Sequence, residues 1–261
     1  MRKALLTIDD SPSDDTDALV AFLKARGVPA VFFCRGDRLS QNSEPMARAV
    51  RQDFMIANHA FNHRRASQIS YDEMTQEILD TENLIEKIYQ QTGKSRAAKY
   101  FRFPHMDRGA GGWIVDYDAV PAHNATLKTI FADGLNVTLT PPTQEQIDKK
   151  LKLQEFLKAQ GFTRLPSDGI THKWFVETEV AQAIDAMFTF STSDWMLTRR
   201  HLGKWPYASL EDLKQKIDND SWLNDQASSN IILAHDQPEV LPTVQALVDH
   251  MLNKNISFTP V

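Results

Sequence analysis

Hydrophobic and polar positions along this chain follow two alternating periods, one typical of strands and one typical of helices. Short apolar, β-branched runs predict strands at 3–8, 28–34, 53–57, 99–103, 136–140, 186–191, 230–234 and 256–260. Helical spacing predicts helices at 13–27, 43–52, 70–91, 143–160, 177–187 and 238–252. Repeated strand–helix alternation predicts a parallel sheet covered by helices, either an open doubly wound sheet or a closed barrel.

The organisation of the chain predicts one domain. We find no low-complexity linker and no internal repeat. Glycines cluster between 105 and 135 among mixed polar residues, which predicts a long loop. We therefore expect a single catalytic domain over 1–261, with insertions within 105–193.

Composition and charge narrow the classes of partner. The 261 residues are 42% hydrophobic and 24% charged, which is ordinary for a globular protein with a sizeable core. The formal charge is 29 − 34 = −5, and no long basic block interrupts the chain. Nucleic acid and anionic membranes are therefore not expected partners.

Cysteine content and apolar length bear on the compartment. Cys34 is the single cysteine, so an intrachain disulfide framework is excluded. No stretch approaches the ~20 apolar residues of a transmembrane helix. The first apolar run is also too short for the core of a signal peptide. We expect a cytoplasmic protein if Met1 is the native start, and a periplasmic or extracellular one if a leader has been removed.

Charged and histidine side chains lie at or just after the ends of five of the predicted strands. They are Asp9 and Asp10, His59 and His63, Arg102, Asp194 with Trp195, and His235 with Asp236. Glycine, asparagine and serine are the residues usually found at such turns. Because the carboxyl ends of parallel strands meet at one edge, we expect these side chains to share a site.

His59 and His63 form a His-x-x-x-His pair. If their loop makes a helical turn, both imidazoles lie on one face and can share a metal ion. This spacing alone is weak evidence, because most such pairs bind no metal. A carboxylate from another strand end, Asp9 or Asp10, completes the two-histidine, one-carboxylate set typical of catalytic zinc or a similar divalent ion.

Asp9 and Asp10 have different predicted roles. Adjacent side chains in a strand point to opposite faces, so both reach one site only if the strand has ended, as Pro12 predicts. The alternative is a solvated turn, although Ser13 or Asp14 can cap the next helix without either aspartate. One carboxylate is then left beside the metal, where a general base belongs.

These segments, in this order, resemble the motifs of the polysaccharide deacetylases, carbohydrate esterase family four, which remove N-acetyl groups from amino sugars. TIDDSPS (7–13) resembles the family's Thr-Phe-Asp-Asp-Gly-Pro-Ser, and HAFNH (59–63) its His-x-x-x-His pair. RFPH (102–105) resembles Arg-x-Pro-Tyr, STSDW (191–195) resembles Asp-x-x-Asp-Trp, and LAHD (233–236) contains Leu-x-His. The resemblance covers almost the whole chain.

The resemblance implies a distorted (β/α) barrel with fewer than eight strands. It implies one divalent ion, most commonly zinc, bound by Asp10, His59 and His63. Asp9 is then the base and His235 the acid of an amide hydrolysis in which metal-bound water attacks the carbonyl.

The resemblance also implies supporting roles. Arg102 orients Asp9, Asp194 is the partner of His235, the backbone N–H of His105 holds the oxyanion, and Trp195 contacts the substrate. Three residues depart from the family pattern: Ser11 for glycine, Ser191 for the first motif aspartate, and His105 for an aromatic residue. All three face the predicted substrate side rather than the metal.

The remaining residues suggest no second site. His123, His172, His201 and His250 have no partner at ligand spacing, which predicts surface or helix-face positions. Of Trp113, Trp174, Trp205 and Tyr207, we expect at most one to face the site. A glycosidase pair is excluded, because its carboxylates must lie about 5–9.5 Å apart across a bond.

Three functions remain open. The first is removal of acetyl groups from N-acetylated sugars of a polysaccharide or oligosaccharide. The second is hydrolysis of a small non-sugar amide or cyclic ureide by the same architecture. The third is carbohydrate or metal binding without catalysis, which we rank last because Asp9, Arg102 and His235 are all present.

Overall fold

The computed structural model describes residues 2–110 and 142–261. The strand predicted at 136–140 lies outside the described residues, as do Trp113 and His123. Within the described ranges, no helix is both long enough and apolar enough to span a bilayer.

Strands and helices alternate along the described chain. The strands are β1 (Arg2–Ser11), β2 (Ala30–Cys34), β3 (Met55–Asn58), β4 (Phe190–Ser191), β5 (Ser229–His235) and β6 (Ile256–Phe258). The α-helices are α1 (Thr16–Ala25), α2 (Gly36–Gln41), α3 (Glu44–Arg51), α4 (Tyr71–Thr92), α5 (Gln144–Ala159), α6 (Lys173–Val176), α7 (Leu210–Asn219) and α8 (Leu241–Asn253). Short 3₁₀ helices cover Ala66–Gln68, Pro104–Met106, Glu179–Gln182 and Asp194–Leu197.

The strands form one parallel sheet in the order β3-β2-β1-β5-β4. β6 pairs in parallel with the first residues of β1, from Arg2 to Ala4. The central strand β1 is therefore paired along nearly all of its length. This architecture confirms the predicted parallel sheet with covering helices.

Backbone contacts beyond the named strands close the sheet into a distorted barrel. Asn58 at the end of β3 forms a parallel bridge with Phe101. The N–H of Ala186 donates to the carbonyl of Phe101 at 2.6 Å, and Phe190 pairs with Ile232 in β5. The segments around 101 and 186–190 thus link β3 back to β5, as the predicted barrel with fewer than eight strands requires.

Alternation along β1 separates two apolar layers. Leu6 and Ile8 pack outward against the helices, whereas Leu5 packs inward against Phe33 and Ile231. The next inward residues are Thr7 and Asp9. The strand pattern that fills the barrel with apolar groups therefore places a carboxylate above them.

Five predicted helices are confirmed, since 13–27, 43–52, 70–91, 143–160 and 238–252 correspond to α1, α3, α4, α5 and α8. Capping boxes begin α4 at Ser70 and α5 at Thr143. The pattern did not predict the short helices α2 and α6, nor α7, although Ser209 and Asp212 form a capping box that opens α7.

The helix predicted at 177–187 is wrong. The segment contains only the 3₁₀ helix Glu179–Gln182, which follows the four-residue α6. The N–H of Ile184 donates to Gln154 Oε1 and that of Ala186 to Phe101. These tertiary acceptors take the backbone donors that a helix would need. The strand predicted at 186–191 is shorter in the structure, at Phe190–Ser191.

Candidate active site

Six of the predicted strand-end residues line one cavity of about 570 Å³: Asp9, Asp10, His59, His63, Trp195 and His235. Asp9 lies two residues before the end of β1, His235 is the last residue of β5, and His59 directly follows β3. Arg102 follows the bridge at Phe101, and Asp194 begins the 3₁₀ helix after β4. The structure therefore brings these side chains together at the carboxyl edge of the sheet, and their functional roles stay predictions.

Asp9 and Asp10 reach the same site by a route that the sequence did not predict. β1 continues through both residues to Ser11, so the expectation that the strand has already ended is wrong. Instead, Asp10 has a φ of 67°, and the pairing with β2 shifts register between Ile8 and Ser11. This irregularity breaks the strand alternation and lets both carboxylates line the cavity.

Asp10, His59 and His63 form a cluster able to hold a metal ion. One ligand atom from each residue lies within 4.8 Å of the others. His63 Nε2 is 3.2 Å and His59 Nε2 is 3.8 Å from Asp10 Oδ1. The spacing had suggested a helical turn at 59–63, but this loop is not helical. Ala60 and His63 instead have positive φ angles, and the two histidine rings still lie together.

The cluster has features that suit a cation. Asp10 Oδ1 is buried and accepts no hydrogen bond from the described residues, which leaves an anionic oxygen without a donor. His59 Nδ1 lies 2.8 Å from the carbonyl of Arg102. A proton on Nδ1 would donate to that carbonyl and leave the Nε2 lone pair facing the cluster, as metal-binding histidines require. The residues therefore fit a divalent ion.

The residues of this cluster shift one another's pKa values. Burial opposes ionisation of Asp10, but the facing His63, His59, His235 and Arg35 outweigh it and hold the pKa of Asp10 well below its usual range. Burial lowers the pKa of His63 to about 4 and also lowers that of His59. At neutral pH the cluster is an anionic oxygen beside two neutral imidazoles, the protonation states that bind a metal.

Asp9 is paired with Arg102 rather than with the cluster. Arg102 Nη1 donates to Asp9 Oδ1 at 2.7 Å and to Thr7 Oγ1 at 2.9 Å, while its Nε donates to the carbonyl of Ala186 at 3.0 Å. The Arg102 side chain is 0% exposed and lies against the ring of Phe33. A guanidinium fixed in this way holds one carboxylate oxygen, while Asp9 Oδ2 lies 3.7 Å from His59 Nε2.

His235 and Asp194 form a second polar pair in the site. Asp194 Oδ1 lies 2.7 Å from His235 Nδ1, and Asp194 Oδ2 accepts the backbone N–H of His235 at 2.8 Å. Burial would lower the pKa of His235, but the charge and hydrogen bond of Asp194, with the charges of Asp10 and Asp9, raise it to about 9. His235 is therefore protonated at neutral pH, as a proton donor must be.

This pair gives a prediction for the metal-free protein. The His235 ring should titrate near pH 9 by NMR, and Asp194→Asn should lower its pKa, because burial then acts with less opposition. The raised pKa also means that the pair stabilises the fold below about pH 6.5 and loses that contribution as pH rises through about 9. An unchanged pKa in Asp194→Asn would contradict the pairing.

The substrate side of the cavity contains both other predicted residues. His105 has a φ of 56°, and its ring centroid is 4.4 Å from that of His63. It lies in the first turn of a 3₁₀ helix, where backbone N–H groups have no partner within the helix. Its N–H could therefore donate to a substrate oxygen, and the oxyanion role stays a prediction. Trp195 lines the cavity with its ring edge-to-face against Trp205, at 5.1 Å.

Several cavity residues were not predicted. Trp205 and Tyr207 line the cavity with Trp195, so the expectation of at most one facing aromatic is wrong, whereas Trp174 lies in the core at 1% exposure. Gln237 Nε2 donates to Asp10 Oδ2. It follows the LAHD motif directly, and that adjacency was the available signal.

The other described histidines are only partly as predicted. The prediction of a surface position is wrong for His172, which is 4% exposed and has its Nε2 3.0 Å from Asn230 Oδ1. His201 lines the cavity, and His250 pairs with Asp218 on the outside of α8. None of these contacts is with the Asp10 cluster.

Comparison with known proteins agrees with this geometry. Residues 1–110 match the family profile described as polysaccharide deacetylase. The chain is 32% identical over 84 residues to peptidoglycan-N-acetylmuramic acid deacetylase PdaC of Bacillus subtilis, covering 32% of this chain and 18% of that protein. It is 28% identical over 126 residues to a peptidoglycan-N-acetylglucosamine deacetylase of Bacillus cereus, covering 48% and 54%. The matches thus span about half or less of these relatives.

The fold has solved counterparts. A family 4 carbohydrate esterase from Streptomyces lividans superposes with a TM-score of 0.56 at 17% identity, over 98% of this chain and 91% of that chain. At this identity the likeness shows the fold alone. Residues 1–110 of the 261 thus match the polysaccharide deacetylase profile, and the chain shares the fold of the family 4 carbohydrate esterase.

Proposed function

We propose that this protein is a metal-dependent hydrolase that removes the acetyl group from an N-acetylated amino sugar of a polysaccharide or oligosaccharide. One observation carries the proposal: a single cavity is lined by the Asp10–His59–His63 cluster, by Asp9, which Arg102 holds from behind, and by His235, which Asp194 holds. Amide hydrolysis needs a base, an electrophilic stabiliser and an acid, and these three groups can supply them.

The cation would be held by Asp10 Oδ1, His59 and His63. Two imidazole nitrogens and one carboxylate oxygen favour zinc among common divalent ions. When bound, it would polarise the amide carbonyl and make water more acidic. Gln237 holds the other oxygen of Asp10, so that carboxylate is already oriented toward the two histidines.

The chain's own residues would move the protons. Asp9, oriented by Arg102, accepts a proton from the attacking water as the new C–O bond forms. His235, protonated and oriented by Asp194, donates a proton to the nitrogen as the C–N bond breaks. The products are acetate and the free amine of the sugar.

The cavity walls support a sugar rather than a small amide. Trp195, Trp205 and Tyr207 line one side, and aromatic rings offer apolar faces with polar edges that suit sugar rings. A volume of about 570 Å³ accommodates more than an acetamide group. A small amide or cyclic ureide would leave this wall without a role.

We also propose that 1–261 forms one catalytic domain. Near the carboxyl end, β6 pairs with the first residues of β1, with Arg2 opposite Ile256. A sheet that joins both ends of the described chain supports one folding unit around the proposed site.

Acetate release tests the proposed function. Zinc-loaded protein should release acetate from chitin oligomers or peptidoglycan fragments, with no comparable hydrolysis of small acetamides or cyclic ureides of equal concentration. His250→Ala, which lies outside the cavity, is the matched control for purification and loading. Turnover confined to the small amides would contradict the sugar substrate while leaving the amidohydrolase chemistry intact.

A further inference from the structure

The cavity is rich in cationic side chains, although the chain as a whole carries a formal charge of −5. Arg35, Arg38, Arg65, Arg200 and Lys216 line it, against the two carboxylates Asp9 and Asp10. Both carboxylates belong to the proposed catalytic machinery at its base. The rest of the wall therefore has an excess of positive charge.

Some of this charge is matched within the protein. Arg35 forms a two-point ion pair with Asp37. Arg38 donates to the backbone carbonyls of Asp10 and Asp236, which are neutral groups. Counting the described residues alone, Arg38, Arg200 and Lys216 each lack a carboxylate in an ion pair.

Lys216 is half-buried, and its ammonium is held by neutral groups. Its ammonium donates to the carbonyl of Ser191 at 2.5 Å and to Ser193 Oγ at 2.7 Å, and it lies 5.0 Å from the ring centroid of Phe190. Ammonium has three donors, so two neutral acceptors leave one N–H to be satisfied. Enclosed charges are usually paired, because desolvation without a counter-charge is costly.

Lys216 remains largely charged near neutral pH. Burial lowers its pKa to about 8, against the opposing charges of Asp220 and Asp194. Ser191, whose carbonyl Lys216 contacts, also lines the cavity. A carboxylate side chain at this position could form a direct ion pair with Lys216, and serine cannot.

We infer that the preferred substrate is an N-acetylated sugar bearing an anionic group, a carboxylate or a phosphate, which Lys216 and Arg200 bind. This rests on the proposed function and specifies its substrate class. Lys216 and Arg200 belong to the same stretch of chain as the aromatic wall of Trp195, Trp205 and Tyr207. A sugar ring stacked on that wall could direct an anionic substituent toward Lys216 and Arg200.

Three disaccharides test this inference in both turnover and binding. They are neutral di-N-acetylchitobiose, its 1-phosphate, and a disaccharide containing N-acetylmuramic acid, which carries a carboxylate. Zinc-loaded protein should show kcat/KM at least about tenfold higher for one anionic sugar than for the neutral one. The preferred arm identifies phosphate or carboxylate, and raised salt should reduce the preference.

Two variants assign the preference to this residue. Lys216→Met removes the charge, and Ser191→Asp places a carboxylate beside it; both should lower the anionic-to-neutral ratio toward one. Lys214→Met, on the same helix and outside the cavity lining, is the matched control and should keep the wild-type ratio. A Lys216→Met variant that loses activity on all three sugars equally, or keeps the ratio, would show a purely structural contact and overturn the inference.

Calorimetric binding of the same sugars separates this inference from the proposed function. Neutral and anionic sugars hydrolysed equally well would refute the charge preference and leave the deacetylase proposal standing. Preferential binding of an anionic sugar without acetate release would support the charge preference and refute the deacetylase proposal. Binding of none of the three would overturn both.

Discussion

Asp9→Asn is expected to abolish most deacetylation while leaving the divalent ion bound. The amide cannot accept the proton, so turnover should fall by roughly 10²–10⁴-fold. The ion should stay, because Asp10, His59 and His63 are unchanged and Asp9 is held by Arg102 outside the cluster. Metal content by elemental analysis, measured beside acetate release, checks both halves of the prediction.

Asp10→Asn is the matched comparison, since it makes the same isosteric change one residue along. Asp10 Oδ1 faces both histidines, so its loss should weaken metal affinity by more than the roughly 10–100-fold typical of losing a hydrogen bond to a ligand. Activity should recover partly in excess metal for Asp10→Asn and not for Asp9→Asn. Swapped phenotypes would swap the roles, and two active, metal-loaded variants would remove both aspartates from the site.

His235→Ala is expected to lower turnover by roughly 10²–10⁴-fold without loss of metal. The imidazole is the protonated group held by Asp194, with a pKa raised to about 9, and alanine leaves no proton donor there. Turnover of the wild type should also fall on the alkaline side as His235 deprotonates. In the metal-loaded enzyme, this alkaline loss of turnover should have its midpoint below about pH 9. A bound cation would offset the negative charge of the carboxylates that raise the pKa of His235.

Two controls keep this prediction specific. His250→Ala alters a histidine on the outside of α8 and should leave turnover and metal content unchanged. Thermal unfolding of metal-loaded His235→Ala separates loss of the acid from loss of the fold. Wild-type turnover in a folded, metal-loaded His235→Ala would exclude this residue as the acid.

Local signals predicted much of the fold. The capping box of Ser70 and Glu73 begins α4 where the sequence indicated, because capping is decided within one turn of chain. The helix predicted at 177–187 failed because distant acceptors, Gln154 Oε1 and the carbonyl of Phe101, bind its backbone donors. Such long-range competition leaves no trace in local periodicity.

The candidate site shows the same division. The strand-end positions of Asp9, His59 and His235 could be predicted, because parallel topology brings strand ends together. The turn of Asp10 into the site could not, since it depends on a positive φ within a continuing strand. Lys216 was missed because it reaches the cavity from α7, away from any strand end.

Zinc titration into metal-free protein, with acetate release from an N-acetylated glycan followed at each addition, tests the central claim most directly. The proposed site predicts that release is negligible without metal, rises in proportion to bound zinc and saturates at one ion per chain. Full acetate release from metal-free protein, or none from protein holding one zinc ion in the Asp10–His59–His63 cluster, would contradict it.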